Sequence, residues 1–314
     1  LLNYIIYIVS AIFGYEHWYG RLINLIISSI GLYYFFKLCK NFFEERVAFF
    51  ATLILTASIW FQFSRKIMPD TFSMSLMLIA LYFLIRFLKE TVILKQVLWG
   101  LGFFFLFQLG ILAKLPAGYI LVLLLPIIIS NSFTLKKRIL VSAITAIGFI
   151  PIYLWYFIWV PHLVDKFGFW HFFMGKNLYQ GIVEIYQNLP ATMERFYDSA
   201  LKFVGFGLFV CGLVIAILKK EKFLLLVFTL SFLSFCVVII KAGFTFPHHN
   251  YYIIPFVPVM AIIAGYALSK IKNIKLAGII VFAVIAEGVA NQQHDFRIKS
   301  DFKFYETLEY DLDK

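Results

Sequence analysis

Gln62-Phe63-Ser64-Arg65-Lys66-Ile67-Met68-Pro69-Asp70 is a short polar break between two apolar runs of spanning length, and it carries the only acidic residue between Glu45 and Glu90. Two cations and a proline stand beside that acid. A proline opens a helix well and stops one badly placed before it, so the second apolar run is expected to start at this break. Ionisable groups at the edge of apolar runs are costly to keep there, which makes the stretch a candidate site as well as a boundary.

The surrounding chain decides what kind of runs these are. Of 314 residues, 62% are hydrophobic, 20% aromatic and only 14% charged, against about 25% charged in a soluble domain. Apolar runs of roughly 16–21 residues recur along the length, which predicts an all-α, polytopic bundle of membrane-spanning helices. About ten spans are expected, near residues 20–40, 46–64, 70–88, 97–113, 116–131, 138–160, 199–218, 223–241, 250–269 and 275–290. Lys114-Leu115-Pro116 breaks the long run from 97 to 131, which reads as a tight helical hairpin with short arms.

Residues 1–19 end in the aromatic belt Tyr15-Glu16-His17-Trp18-Tyr19 and are expected to lie on the membrane interface. The transmembrane domain then covers 20–290, with one long loop at 161–199 that is expected to hold interfacial helices, and 291–314 forms a polar, acidic tail. The chain opens Leu1-Leu2-Asn3 without an initiator methionine, so an upstream segment is expected to be missing.

A net charge of +11 would suggest nucleic acid in a soluble protein, but here the cations fall in the breaks between apolar runs, and no nucleic-acid partner is expected. Fifteen of them, including Lys37, Lys40, Lys136, Lys137 and Arg138, fall in one set of breaks, against nine in the other set before the tail. The positive-inside rule makes the first set cytoplasmic and places the Asp70 break outside. The loop at 161–199, the tail and all six histidines, His17, His162, His171, His248, His249 and His294, map to the outer side as well. Cys39, Cys211 and Cys236 share no metal-ligand spacing and read as packing residues.

If the outer ends converge, Arg65, Lys66, Lys114, His248 and His249 form a cationic pocket around Asp70, suited to a lipid phosphate. Each has a plainer reading beside this. Arg65 and Lys66 could snorkel to headgroups, with Arg65 also expected to pair with Asp70. Asp70 could serve as a helix N-cap, and the His248–His249 pair could be a polar loop.

Arg21, Ser64 to Asp70, Leu112-Ala113-Lys114-Leu115-Pro116 and Pro247-His248-His249-Asn250-Tyr251-Tyr252-Ile253-Ile254-Pro255 with Pro258 together resemble the protein O-mannosyltransferase-like GT-C glycosyltransferases, a family that includes aminoarabinose and lipopolysaccharide-core sugar transferases. The resemblance implies a GT-C bundle in the plasma (inner) membrane with its active site facing outward. It implies inverting transfer of a sugar from a polyprenyl-phosphate donor to a hydroxyl on a glycan, lipid or protein. Asp70 matches the acidic position lining the donor and acceptor cavity. Arg65 and Lys114 match basic positions near the donor phosphate, and His248 and Tyr251 match a late outer-loop motif. The family's outer-loop base would lie upstream of Leu1, so this piece is expected to be inactive alone. No cofactor is implied, and whether a divalent metal assists is left open. The competing expectation is a secondary transporter or flippase of lipid-linked sugars, which would place its charges near the midplane on repeated, broken helices.

Overall fold

A computed structural model describes residues 1–129, 133–168 and 175–293, and every described element is helical. His171, Trp170, His294 and the acidic stretch from 294 lie outside the described residues. In order, the chain runs α1 (Leu2–Phe13), α2 (Tyr19–Lys40), α3 (Glu45–Ala57), α4 (Ile59–Phe63), α5 (Pro69–Lys89) and α6 (Ile93–Ala113). A 3-10 segment (Leu115–Leu123) leads into α7 (Leu124–Ile129), and α8 (Leu135–Tyr153) widens through a π turn (Leu154–Trp159) into α9 (Val160–Phe167). The loop region folds as α10 (Leu178–Gln187), α11 (Leu189–Glu194) and a π turn (Arg195–Ala200). Then come α12 (Lys202–Leu218), α13 (Lys222–Ala242), α14 (Thr245–His248), a 3-10 segment (Asn250–Phe256), α15 (Val257–Ser269) and α16 (Ile274–Gln293).

Seven helices among the described residues are long and apolar enough to cross a membrane, or eight if the bent α11–α12 pair counts as one. The chain is an integral, multi-pass membrane protein. The three remaining expected spans fall short for separate reasons. The run at 46–64 is cut at Ser58, where the backbone turns extended and the hydroxyl accepts from the Trp60 amide to start α4. The run at 116–131 begins as a 3-10 segment, and α12 meets the preceding helix at a 98° bend. A helix of 13 residues reaches about 20 Å, less than the roughly 30 Å hydrocarbon core.

The hairpin expected around Lys114 is therefore lopsided. Its first arm, α6, has full spanning length, and only the second arm is short. Of the cysteines, Cys39 is buried in the core as expected, whereas Cys211 faces outward from the bundle.

In α5, sixteen of its 21 residues are buried, and α15 is buried along nearly its whole length. These two helices form the centre, and small residues let the others approach them. The buried face of α2 reads Gly20, Asn24, Ser28, Gly31 and Phe35, a stripe at helical spacing against α5. A Cβ on Gly31 would stand 2.9 Å from the Ser75 backbone, and one on Gly265 of α15 would stand 2.5 Å from the Ala51 amide of α3. Close backbone approach of this kind supplies dispersion contact where lipid removes any hydrophobic drive between helices.

The two ends of the bundle differ in chemistry. At one end, cations cap helices across the fold: Arg46 donates to the Ile271 carbonyl, Lys137 to those of Leu88 and Glu90, and Arg138 to those of Ile128 and Ile129. These groups satisfy the last carbonyls of neighbouring helices. The break containing Asp70, the Lys114 break and the start of the Asn250–Phe256 segment meet at the other end. The charge pattern thus sorts the breaks into two groups that the fold keeps apart.

Candidate functional site

The site begins with the start of α5. Pro69 occupies the first turn and Met68 is the N-cap, with no side-chain cap bond, so Asp70 is not the cap. Its carboxylate instead lies in the first helical turn, where exposed amides give the helix end a positive potential. The residue is 1% exposed, so its charge needs a partner.

That partner is Lys114. Its ammonium donates to Oδ1 of Asp70 in a buried ion pair across 44 positions of sequence. Lys114 is delivered by the break at the end of α6, where its own backbone is extended and Pro116 prevents the helix from continuing. Two further groups fix that break. The Ser73 hydroxyl of α5 donates to the Gly110 carbonyl at 2.6 Å, and the Tyr156 hydroxyl donates to the Ile111 carbonyl at 2.9 Å. Both satisfy terminal carbonyls of α6.

Aromatic faces close over the ammonium. Lys114 Nζ sits 4.4 Å from the Tyr251 ring centroid and 5.0 Å from that of Tyr252, within cation–π range. His249 stacks on Tyr251 at 5.2 Å, and Phe63 approaches the same ring at 6.0 Å. The second carboxylate oxygen, Asp70 Oδ2, is buried and has no hydrogen-bond partner. A buried acceptor left open in this way is ready for a donor that the described residues do not supply.

Arg65 and Asp70 form no ion pair, which corrects the expectation from their spacing. The Arg65 guanidinium folds back over the Phe61 ring at 3.9 Å and donates through Nε to the Phe61 carbonyl at 3.0 Å. The reason is geometric: α4 ends at Phe63 and the following turn separates the two residues, so they do not share a helical face. Lys66 rests on the Phe63 ring at 4.6 Å, and that ring in turn approaches Tyr251, which faces Lys114. His248 is exposed, stacks on Phe244 and pairs through Nδ1 with the Phe244 carbonyl, so it is drawn into α14 rather than toward Asp70. Arg21 is exposed on the first turn of α2.

An open apolar groove of about 580 Å³ lies between α2, α3 and α16, and its lining includes Phe61, the ring that carries Arg65. Thr52 and Thr56 line it, but their hydroxyls donate to the Ala48 and Thr52 carbonyls of their own helix. The groove wall therefore offers no free hydroxyl to an occupant.

Among the described residues, no three His, Cys, Asp or Glu side chains converge as a metal site. The sequence reading passed over Tyr252, Ser73, Tyr156 and Asn24. Their signal was available for two of them, since Ser73 and Asn24 are polar residues inside apolar runs.

Residues 1–155 match the family model described as dolichyl-phosphate-mannose-protein mannosyltransferase. No curated protein matches the sequence. The fold is similar to the crystal structure of ArnT from Cupriavidus metallidurans in the apo state, with a TM-score of 0.52 and 14% identity over 90% of this chain and 51% of that one. A second ArnT structure from the same organism, bound to undecaprenyl phosphate, aligns with a TM-score of 0.48 and 17% identity over 87% of this chain and 50% of that one. This chain thus spans about half the length of the solved proteins it matches.

Proposed function

We propose that this chain, which belongs to the protein O-mannosyltransferase-like GT-C family of membrane glycosyltransferases, acts in the transfer of a sugar from a polyprenyl-phosphate donor to an acceptor hydroxyl. The observation that carries the reading is the buried Asp70–Lys114 pair with its open carboxylate oxygen. The acceptor is a glycan, a lipid or a protein. The reaction takes place on the extracytoplasmic face of the plasma (inner) membrane, with inversion.

In the step itself, the acceptor oxygen attacks the anomeric carbon and the bond from that carbon to the phosphate oxygen breaks. Polyprenyl phosphate leaves with the electron pair, and the acceptor proton passes to a carboxylate. Lys114 and Arg65 are the groups suited to stabilise charge growing on the departing phosphate. Asp70, through its free oxygen, holds a sugar hydroxyl or takes the proton. The apolar groove that Phe61 helps to line suits an isoprenoid tail, because the tail asks for no hydrogen bonds and the hydroxyl protons of Thr52 and Thr56 are already donated within their own helix. The donor class is supported by the description of the matching family, a dolichyl-phosphate-linked mannosyltransferase.

The test supplies purified full-length protein with a radiolabelled polyprenyl-phosphate sugar and a mixture of acceptors. Label on an acceptor together with released polyprenyl phosphate is the expected result. Movement of the intact lipid-linked sugar across a vesicle, with no cleavage, would instead identify a flippase. Sidedness is read separately, by impermeant thiol labelling of intact cells with cysteines at Lys176 and Lys136. Labelling at Lys176 alone is expected, and labelling at Lys136 alone would reverse the orientation.

A further inference from the structure

We propose that Asn24 is the positioning residue that fixes the phosphate-facing loop, an inference that rests on reading Arg65 and Lys66 as donor-binding. Asn24 lies one turn into α2 and is fully buried, 0% exposed. Its amide nitrogen reaches three carbonyls of the 63–68 loop: Phe63 at 3.0 Å, Lys66 at 2.8 Å and Met68 at 3.2 Å. An amide has two N–H groups, so one of them is shared between two carbonyls. Its oxygen accepts from the hydroxyls of Ser28 and Thr71, each at 3.2 Å.

One side chain therefore ties α2 to both ends of the loop and to the first turn of α5. The three carbonyls bracket Arg65 and Lys66 and end at the residue preceding Pro69. The loop cannot tie itself in this way. Ser64 Oγ returns to Phe61, and the Lys66 amide returns to Phe63; these bonds close the turn after α4 and do not reach α2. The register of the cations relative to Asp70 is set from α2, a helix that contributes no charge to the pair. A polar residue buried in an apolar span is costly unless its bonds are made, and here all of them point at the loop or at the residues bracing it.

Asp70 has its own anchor in Lys114, whereas three carbonyls of the loop are held by Asn24. Loss of the amide should thus loosen the binding of the phosphate before it disturbs the carboxylate. Asn24→Ala removes every bond. Asn24→Asp is close in shape and keeps the two accepted bonds, but it turns a carboxylate oxygen toward the three carbonyls and so replaces the donated bonds by repulsion. It serves as the second variant if alanine prevents folding.

The experiment measures binding of farnesyl phosphate, a donor mimic without sugar, to full-length protein in detergent. A nitroxide at Ile67→Cys, an exposed loop position, reports loop order in the same samples. Gly265→Ala, which strains the distant α15–α3 contact, is the control for general destabilisation. Both Asn24 variants are expected to weaken farnesyl phosphate binding at least tenfold and to sharpen the nitroxide spectrum toward free motion. Gly265→Ala should lower the melting temperature and leave both readouts unchanged. A folded Asn24→Asp protein with wild-type binding and an immobile label overturns the proposal, as does an equal loss of binding in Gly265→Ala. If wild-type protein does not bind farnesyl phosphate, the donor reading fails, and the nitroxide alone decides whether Asn24 holds the loop.

Discussion

Replacing Lys114 by methionine removes the one ionic partner found among the described residues for a carboxylate whose side chain is 0% exposed, while Lys114 itself is 17% exposed. Taking one partner from a buried ion pair typically costs about 3–5 kcal/mol, because the remaining charge stays in a poor environment. The partial exposure of Lys114 lowers that figure, and loss of its contacts with Tyr251 and Tyr252 adds roughly 0.5–1 kcal/mol. Lys114→Met is therefore expected to destabilise the protein by about 3 kcal/mol, a large share of the roughly 5–15 kcal/mol that holds a folded domain. Asp70→Asn alone should cost less, since a neutral amide needs no counter-charge. The double variant should recover most of the Lys114→Met loss, with a coupling of about 2 kcal/mol. Equilibrium unfolding of all four proteins in one detergent measures the cycle. A Lys114→Met loss below about 1 kcal/mol, or coupling near zero, would refute the pair as a structural element and leave Lys114 as a loosely held cation.

Three further outcomes follow from particular contacts. Gly265→Val would force a branched side chain against the Ala51 backbone and should destabilise by about 1–3 kcal/mol, read in the same unfolding assay. Ser73→Ala removes the bond to the Gly110 carbonyl and should cost about 1 kcal/mol, with donor affinity falling as the Lys114 break loosens. At Glu184, the Phe244 amide and the Lys176 ammonium hold the carboxyl below its ordinary value of 4.5. A depressed folded value means the stabilisation is fully present above the unfolded value and is lost as pH falls through the folded one. The protection of the Phe244 amide against hydrogen exchange, taken relative to the unstructured peptide at the same pH, should be high at neutral pH and be lost only below the carboxyl's ordinary value of 4.5. Loss of that protection already at pH 6 would show that the carboxylate does not hold that turn.

The membrane bundle was legible in the sequence because it rests on apolar runs, and the candidate residues were legible because they are charges against an apolar background. Asp70 and Lys114 each stood out as an ionisable residue at a span edge, and the structure joins them. The partner of Asp70 was not legible, since sequence proximity favoured Arg65, and only the turn after α4 shows that the near residue points elsewhere. The three short or bent helices were hidden for a similar reason. Hydropathy records that residues 46–64 are apolar, but not that Ser58 starts a new helix inside them. Asn24 and Ser73 show in the sequence only as polar residues inside apolar runs and Tyr156 does not stand out at all, so what each of them holds appears only when the carbonyls they reach are known. Residues such as these connect the spans to the site, and nothing in a one-dimensional pattern says which loop a buried amide will hold.

The most direct test of the central claim is sugar transfer by matched amounts of wild-type and Asp70→Asn full-length protein from a purified polyprenyl-phosphate donor. The amide keeps the shape and can still accept from Lys114, but it has no charge to hold a sugar hydroxyl strongly or to receive a proton. With folding and membrane insertion unchanged, transfer is expected to fall on the order of 100-fold or more. Near-wild-type turnover in the asparagine variant would contradict the claim and remove Asp70 from the chemistry.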